Sequence, residues 1–203
     1  MTYRQLLGDL DEWFAQGVAS AGHNVVLCRR GCSACCNGPF DISAADAQMV
    51  ANAVARLPRE MTDHVRQRAL KQIAAYHDVA PWWQSPWDVD ILDEEYFDRF
   101  GLQLADQRCP ALGDDGGCLI YDNRPATCRM IGLSLMKPDG GILENDCPIL
   151  HTSRGYAELN PTIFDLEQFE LRADEYDAEA RSGGWVSTTV AGAIARENEK
   201  KRK

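Results

Sequence analysis

Four cysteines, Cys28, Cys32, Cys35 and Cys36, fall within nine residues in "VVLCRRGCSACCNGPF". Four more follow after a long gap, at Cys109, Cys118, Cys128 and Cys147. The pattern is C-x3-C-x2-C-C, then C-P-x7-C-x9-C-R, and finally C-P, and it takes in all eight cysteines of the chain. Cysteines acting as small core hydrophobes would be scattered along apolar stripes, and these are not. Two thiolates separated by two residues wrap one metal in a tight backbone knuckle. Cys32 and Cys35 have that spacing, and Cys28, one turn earlier, can reach the same centre if the loop is partly helical. Adjacent cysteines project in different directions, so Cys36 reaches a second metal, joins a polynuclear site, or is a free or redox thiol. Gly31, Gly38, Pro39, Pro110, Gly116, Gly117 and Pro148 surround the thiols and let backbone amides approach sulfur closely. Arg29, Arg30 and Arg129 adjoin cysteines and either offset thiolate charge or are solvated surface residues.

The whole chain narrows the chemistry. At 203 residues it can bury a core without disulfides or metal. A formal net charge of −10 opposes phosphate backbones, which argues against nucleic-acid binding. The N-terminal stretch has no basic region leading into an apolar run, and no segment has the length and apolarity of a membrane span. These features predict a cytoplasmic protein, where thiols stay reduced and serve metal binding or catalysis rather than disulfides. No Ser–His–Asp arrangement, phosphate loop or paired-carboxylate signature stands out, and "DDGG" before Cys118 reads as a turn. His64 and His77 read as surface residues, while His23 and His151 lie near enough to cysteines to join them.

The elements that must position the cysteines read as mainly α with a small β-hairpin. A cysteine-rich, turn-rich metal-binding core is flanked by amphipathic helices. Leu6, Leu7, Leu10, Trp13, Phe14 and Val18 form one helical stripe. A helix capped by Ser43, with Asp46 three positions on, buries Ala47, Val50, Ala51, Val54 and Leu57 and ends at Pro58. A second run follows with Met61, Val65, Ala69, Ile73 and Tyr76, completing a helical insert over about 43–80. "APWWQSPWDVDIL" is too proline-rich for regular helix. Its indoles either plug the core, or the Trp82–Trp87 segment offers a surface to a protein partner. Ile131, Leu133 and Leu135 alternate with Gly132, Ser134 and Met136, and "PDGG" turns them into "ILEN" as a hairpin delivering Cys147. Asn160–Pro161 reads as the start of an acidic helix that stops at Gly183–Gly184. The expected organisation is one domain over 1–185 and a flexible or short helical basic tail over 186–203.

"CRRGCSACC", "CPAL", "GCLIYDNRPATCR" and the last "CP" together closely resemble the YkgJ-type cysteine-cluster family, described by zinc or iron chelation. The resemblance spans roughly residues 28 to 148. It rests on the eight cysteines together with Pro110, Ile120, Tyr121, Arg124, Pro125 and Arg129. It implies that Tyr121 packs beneath the site and that Pro125 opens a short helix bearing Cys128 and Arg129. Read with the spacings, it favours a metal-binding protein holding iron, as an iron–sulfur cluster or polynuclear site, with zinc as the alternative. The ligands expected are Cys28, Cys32, Cys35, Cys36, Cys109, Cys118, Cys128 and Cys147. Similarity to flagellin lysine N-methylases implies a second reading, S-adenosylmethionine-dependent methyl transfer to protein. A third is thiol-redox or metal-handling chemistry at Cys35–Cys36. Radical chemistry fits poorly, because no alternating β/α series follows and Ala34 stands where an aromatic residue is usual.

Overall fold

The structure is a computed structural model that describes residues 1–145, 147, 149 and 154–200, with side chains to 196. The chain is mainly helical with short strand pairs, in keeping with its sequence pattern. It divides into two compact units, Met1–Cys35 with Ala126–Tyr176, and Cys36–Pro125 with the residues from Asp177 onward.

In the first unit, α1 (Tyr3–Ala21) starts in a reciprocal capping box between Thr2 and Gln5. Its predicted stripe is the buried face, with Leu6, Leu7, Leu10, Trp13 and Val18 in the core. Gly17 is needed on that face, because a Cβ there would lie 2.5 Å from the Leu133 side chain. The short helix α5 (Ala126–Met130) packs on α1. Strands β2 (Leu135–Met136) and β3 (Ile142–Leu143) form the predicted antiparallel hairpin, with Leu135 opposite Leu143. The turn closes through Lys137 and Gly141, and Gly140 takes a φ of 88°.

The reading that Asn160–Pro161 starts a helix is corrected. Thr162–Ile163 form a third strand, β4, parallel to β2, with the Thr162 amide donating to Ser134 at 2.9 Å. Proline has no N–H to give a ladder, and the β-branched pair after it suits extended backbone. The helix α6 (Leu166–Ser182) begins only after Asp165, whose carboxylate accepts from the Gln168 amide at 3.1 Å. It ends where expected, with Gly184 at a φ of 82°.

In the second unit, β1 (Asp41–Ile42) pairs with β5 (Thr188–Thr189). Helix α2 (Ala44–Ala55) is capped by the Ser43 hydroxyl, which accepts from the Asp46 amide at 3.1 Å. Helix α3 (Arg59–Val79) follows Pro58, and the Thr62 hydroxyl closes the turn by donating to the Val54 and Leu57 carbonyls. Thr62 therefore occupies the buried position, and Met61, expected in the stripe, is exposed. Helix α7 (Val190–Lys200) packs on both α2 and α3 and buries Ala191, Ala193, Ile194 and Ala195. The basic residues Lys201, Arg202 and Lys203 lie outside the described residues.

Helix α4 (Glu94–Gln103) completes an aromatic cluster in which the rings of Tyr76, Trp83, Phe97 and Phe100 meet. Trp83 and Trp87 are buried, and the Trp83 indole donates to the Asp88 carbonyl at 2.8 Å. Trp82 is 55 % exposed and leans on the Tyr96 ring. Two of the three indoles thus belong to the core. Among the described residues no helix is long and apolar enough to cross a membrane.

Candidate metal centre

The first unit carries Cys28, Cys32, Cys35, Cys128 and Cys147, each outside any disulfide. Val25 and Val26 leave α1 through amides bonded to the Gly22 carbonyl, and Val26 is buried beside the cluster that follows. The loop then tightens, with the Cys32 amide donating to the Arg29 carbonyl at 2.9 Å. The hairpin supplies the other side: Gly132 donates to the Asn145 carbonyl, and Cys147 is buried two residues on. Cys147 and Tyr156 form a small core against which Val25, Leu27, Cys28, Ala34, Ile131 and Leu159 pack. The Cys28 thiol also faces the Ile131 carbonyl at 3.9 Å.

Burial, reinforced by the charges of Cys147, Cys32 and Cys35 and a hydrogen bond with Cys147, pushes the Cys28 thiol up to about 12. The physical content is crowding: Cys28 lies in a partly dry region beside three other sulfurs, and both effects disfavour its thiolate. Among the described residues, no three His, Cys, Asp or Glu side chains converge into a cage ready for an ion. The donor chemistry nonetheless suits one. Thiolates grouped out of water want a soft cation, and zinc and iron–sulfur clusters are the species such sets take.

Cys128 sits on α5, which Pro125 precedes as expected. Beside it, Arg129 is only 3 % exposed and its guanidinium pairs with the carboxylate of Asp11 on α1. Its charge is met by a carboxylate, so Arg129 ties α5 to α1. Arg29 and Arg30 are exposed. Asp11 was not singled out from sequence, since an acidic residue on the polar face of an amphipathic helix carries no mark of a partner more than a hundred residues away.

The second unit carries Cys36, Cys109 and Cys118. Here the backbone does the positioning. The Cys109 amide donates to the Cys36 carbonyl at 2.9 Å, the Gly38 amide to Gln107 at 2.7 Å, and Asn37 bridges Arg108. Cys118 returns on a tight loop, bridging Leu112 antiparallel, with Gly113 and Gly117 joined at 2.7 Å. The Asp115 carboxylate accepts from the Gly117 amide at 2.9 Å, so "DDGG" is the turn that the sequence suggested. Helix α3 buttresses this loop: Arg68 donates to the Pro110 carbonyl at 3.1 Å and reaches Asp114. Arg124 stacks over the Tyr121 ring with 4.2 Å to its centroid. His23 and His64 are exposed, and His77 lies on the last turn of α3. His151 and Pro148 lie outside the described residues.

Residues 27–148 match the family described as "CxxCxxCC: Putative zinc- or iron-chelating domain". The chain belongs to this family, and its cysteine arrangement is that of a zinc- or iron-chelating domain. No curated protein and no solved structure matches the chain.

Proposed function

We propose that this protein binds iron through its cysteines, as an iron–sulfur cluster or polynuclear iron site, in preference to zinc. The observation that carries the reading is the gathering of Cys28, Cys32, Cys35 and Cys147 around one partly buried region. Four thiolates of that kind would hold a cubane cluster or a single tetrahedral ion, and bound iron would supply redox or Lewis-acid chemistry. C-x3-C-x2-C is the spacing of iron–sulfur loops, and Cys109–Pro110 and Cys147–Pro148 resemble ferredoxin-type ligand pairs. Cys36, Cys109, Cys118 and Cys128 are the remaining ligands in this reading. The protein's own part is to keep the sulfurs close, exclude water with Val25, Leu27 and Tyr156, and present backbone amides to the thiolates.

Anaerobic purification followed by absorption spectroscopy and elemental analysis tests this. Stoichiometric iron and sulfide with a broad shoulder near ~400 nm is the expected result. A colourless protein with about two zinc ions per chain replaces iron by structural zinc. A protein that takes up neither metal overturns the reading.

A further inference from the structure

In the second unit the chain passes from Cys36 through Pro39 and Phe40 into β1, and this stretch lies along α4. Between the two is a groove of about 460 Å³ that opens to solvent, with Pro39 and Phe40 on one wall and Phe97, Gly101 and Leu102 on the other. The aromatic core holds its back: Phe97 stacks on Phe100 with 6.0 Å between centroids and meets Trp83 edge-on at 6.4 Å. Leu102, 77 % exposed, forms the lip. Glycine weakens a helix, yet Gly101 stands in α4 where a Cβ would meet only the Pro39 carbonyl, at an ordinary 3.7 Å. Packing does not require it; what it does is keep the groove deep. Asp41 and Asp98 line the groove from its two walls. Both are exposed, and neither carboxylate has a hydrogen-bond or ion-pair partner among the described residues. The arginine next to them on α4, Arg99, is engaged with Glu95.

We propose that this groove docks a protein partner that presents an apolar side chain beside a lysine or arginine. An apolar centre within a charged rim is the layout of an anchor pocket at protein interfaces. Two unpaired carboxylates on the rim favour a cationic neighbour for that anchor and repel phosphate, whether of nucleic acid or of lipid headgroups. They also oppose a second copy of this chain, whose formal net charge is −10. An open groove admits one side chain of a larger body, whereas a free small molecule calls for a cleft that encloses most of it. The groove shares its backbone with two cysteines. The Gly38 amide bonds the Gln107 carbonyl and the Cys109 amide bonds the Cys36 carbonyl, so a partner seated here rests on the frame that carries Cys36 and Cys109.

The test is panning of phage-displayed random peptides on the reduced full-length chain, with Gly101→Leu as the counter-selection. That variant fills the groove and, leucine being the better helix former, should unfold in urea at the wild-type midpoint or above. If it unfolds earlier, Leu102→Ser at the exposed lip takes its place. Enriched sequences should set leucine, phenylalanine or methionine beside lysine or arginine. A labelled synthetic peptide of the leading sequence, followed by fluorescence anisotropy, should bind the groove variant about tenfold or more weakly than wild type. Asp41→Asn and Asp98→Asn, which change almost no volume, should each weaken it about two- to fivefold, and rising salt should shrink that difference. Equal binding to wild type and groove variant overturns the proposal, as does enrichment of acidic peptides or of none. A wild-type dimer in sedimentation that Gly101→Leu dissociates also overturns it, since a second copy would then cover the groove.

Discussion

In the first unit, Cys28 shares its surroundings with Cys32, Cys35 and Cys147 on backbone that has little regular structure, and burial together with those neighbours holds the Cys28 thiol neutral. In the second, Cys36 and Cys109 are fixed by a main-chain hydrogen bond, Cys118 by a tight bridged turn, and α3 braces their loop through Arg68. The difference separates two ways of preparing a ligand. One is to crowd donors and let a cation relieve the repulsion, which couples metal binding to local folding. The other is to build the frame first, from helices and an aromatic core, so that the cysteines proposed as ligands are already in place. On this view the second unit is ordered by its own packing, and the first depends more on what its thiols bind.

The largest expected effect follows from the frame of the second unit. Trp83 is 1 % exposed and meets Tyr76, Phe97 and Phe100, so Trp83→Ala should cost about 3–5 kcal/mol in urea unfolding of the metal-free chain. A loss under about 1 kcal/mol would remove the aromatic cluster as the brace and, with it, the contrast between the units.

Much of this was legible beforehand, for reasons that differ by element. The stripe of α1, the Ser43 cap, the "PDGG" turn and the Gly183–Gly184 stop are local signals, written in residues a few positions apart, and the structure follows them. The start of α6 was misplaced because Asn160–Pro161 is equally good before a strand, and only the distant β2 edge decides that Thr162–Ile163 become β4. Thr62 replaces Met61 in the buried stripe because its hydroxyl has two carbonyls to satisfy, a tertiary demand that periodicity does not carry. The cysteine motif pointed to chelation through its spacing together with its family resemblance, and the family match agrees. The distribution of its thiols over two compact units, and the supporting roles of Asp11 and Arg68, depend on long-range packing and carried no local mark.

The ion pair in the first unit offers a smaller and more pointed test. Asp11→Asn keeps shape but leaves the guanidinium of Arg129, nearly closed to water, facing a neutral amide. Asp11 is itself partly exposed, so the cost should be about 1–3 kcal/mol rather than that of a fully buried pair. Chemical unfolding measures this. If metal content per folded chain also falls, Arg129 matters to how α5 presents Cys128; if stability does not change, the pair is no strut and α1 holds α5 by packing alone.

The smallest effect is expected at the one indole of its segment that faces solvent. Trp82 touches the Tyr96 ring but lies mostly open, so Trp82→Ala should change unfolding stability by no more than about 0.5 kcal/mol. Set beside Trp83→Ala, it divides a single "WW" dipeptide into a core residue and a surface residue. Metal content is the sharper measurement, because nothing in the packing of Trp82 ties it to a cysteine. Were Trp82→Ala to leave stability intact and still lower bound metal, the frame of the second unit would extend to its surface, through whatever meets that indole there. An unchanged content restricts the frame to the buried cluster of Tyr76, Trp83 and Phe100, where the contrast between the two units places it.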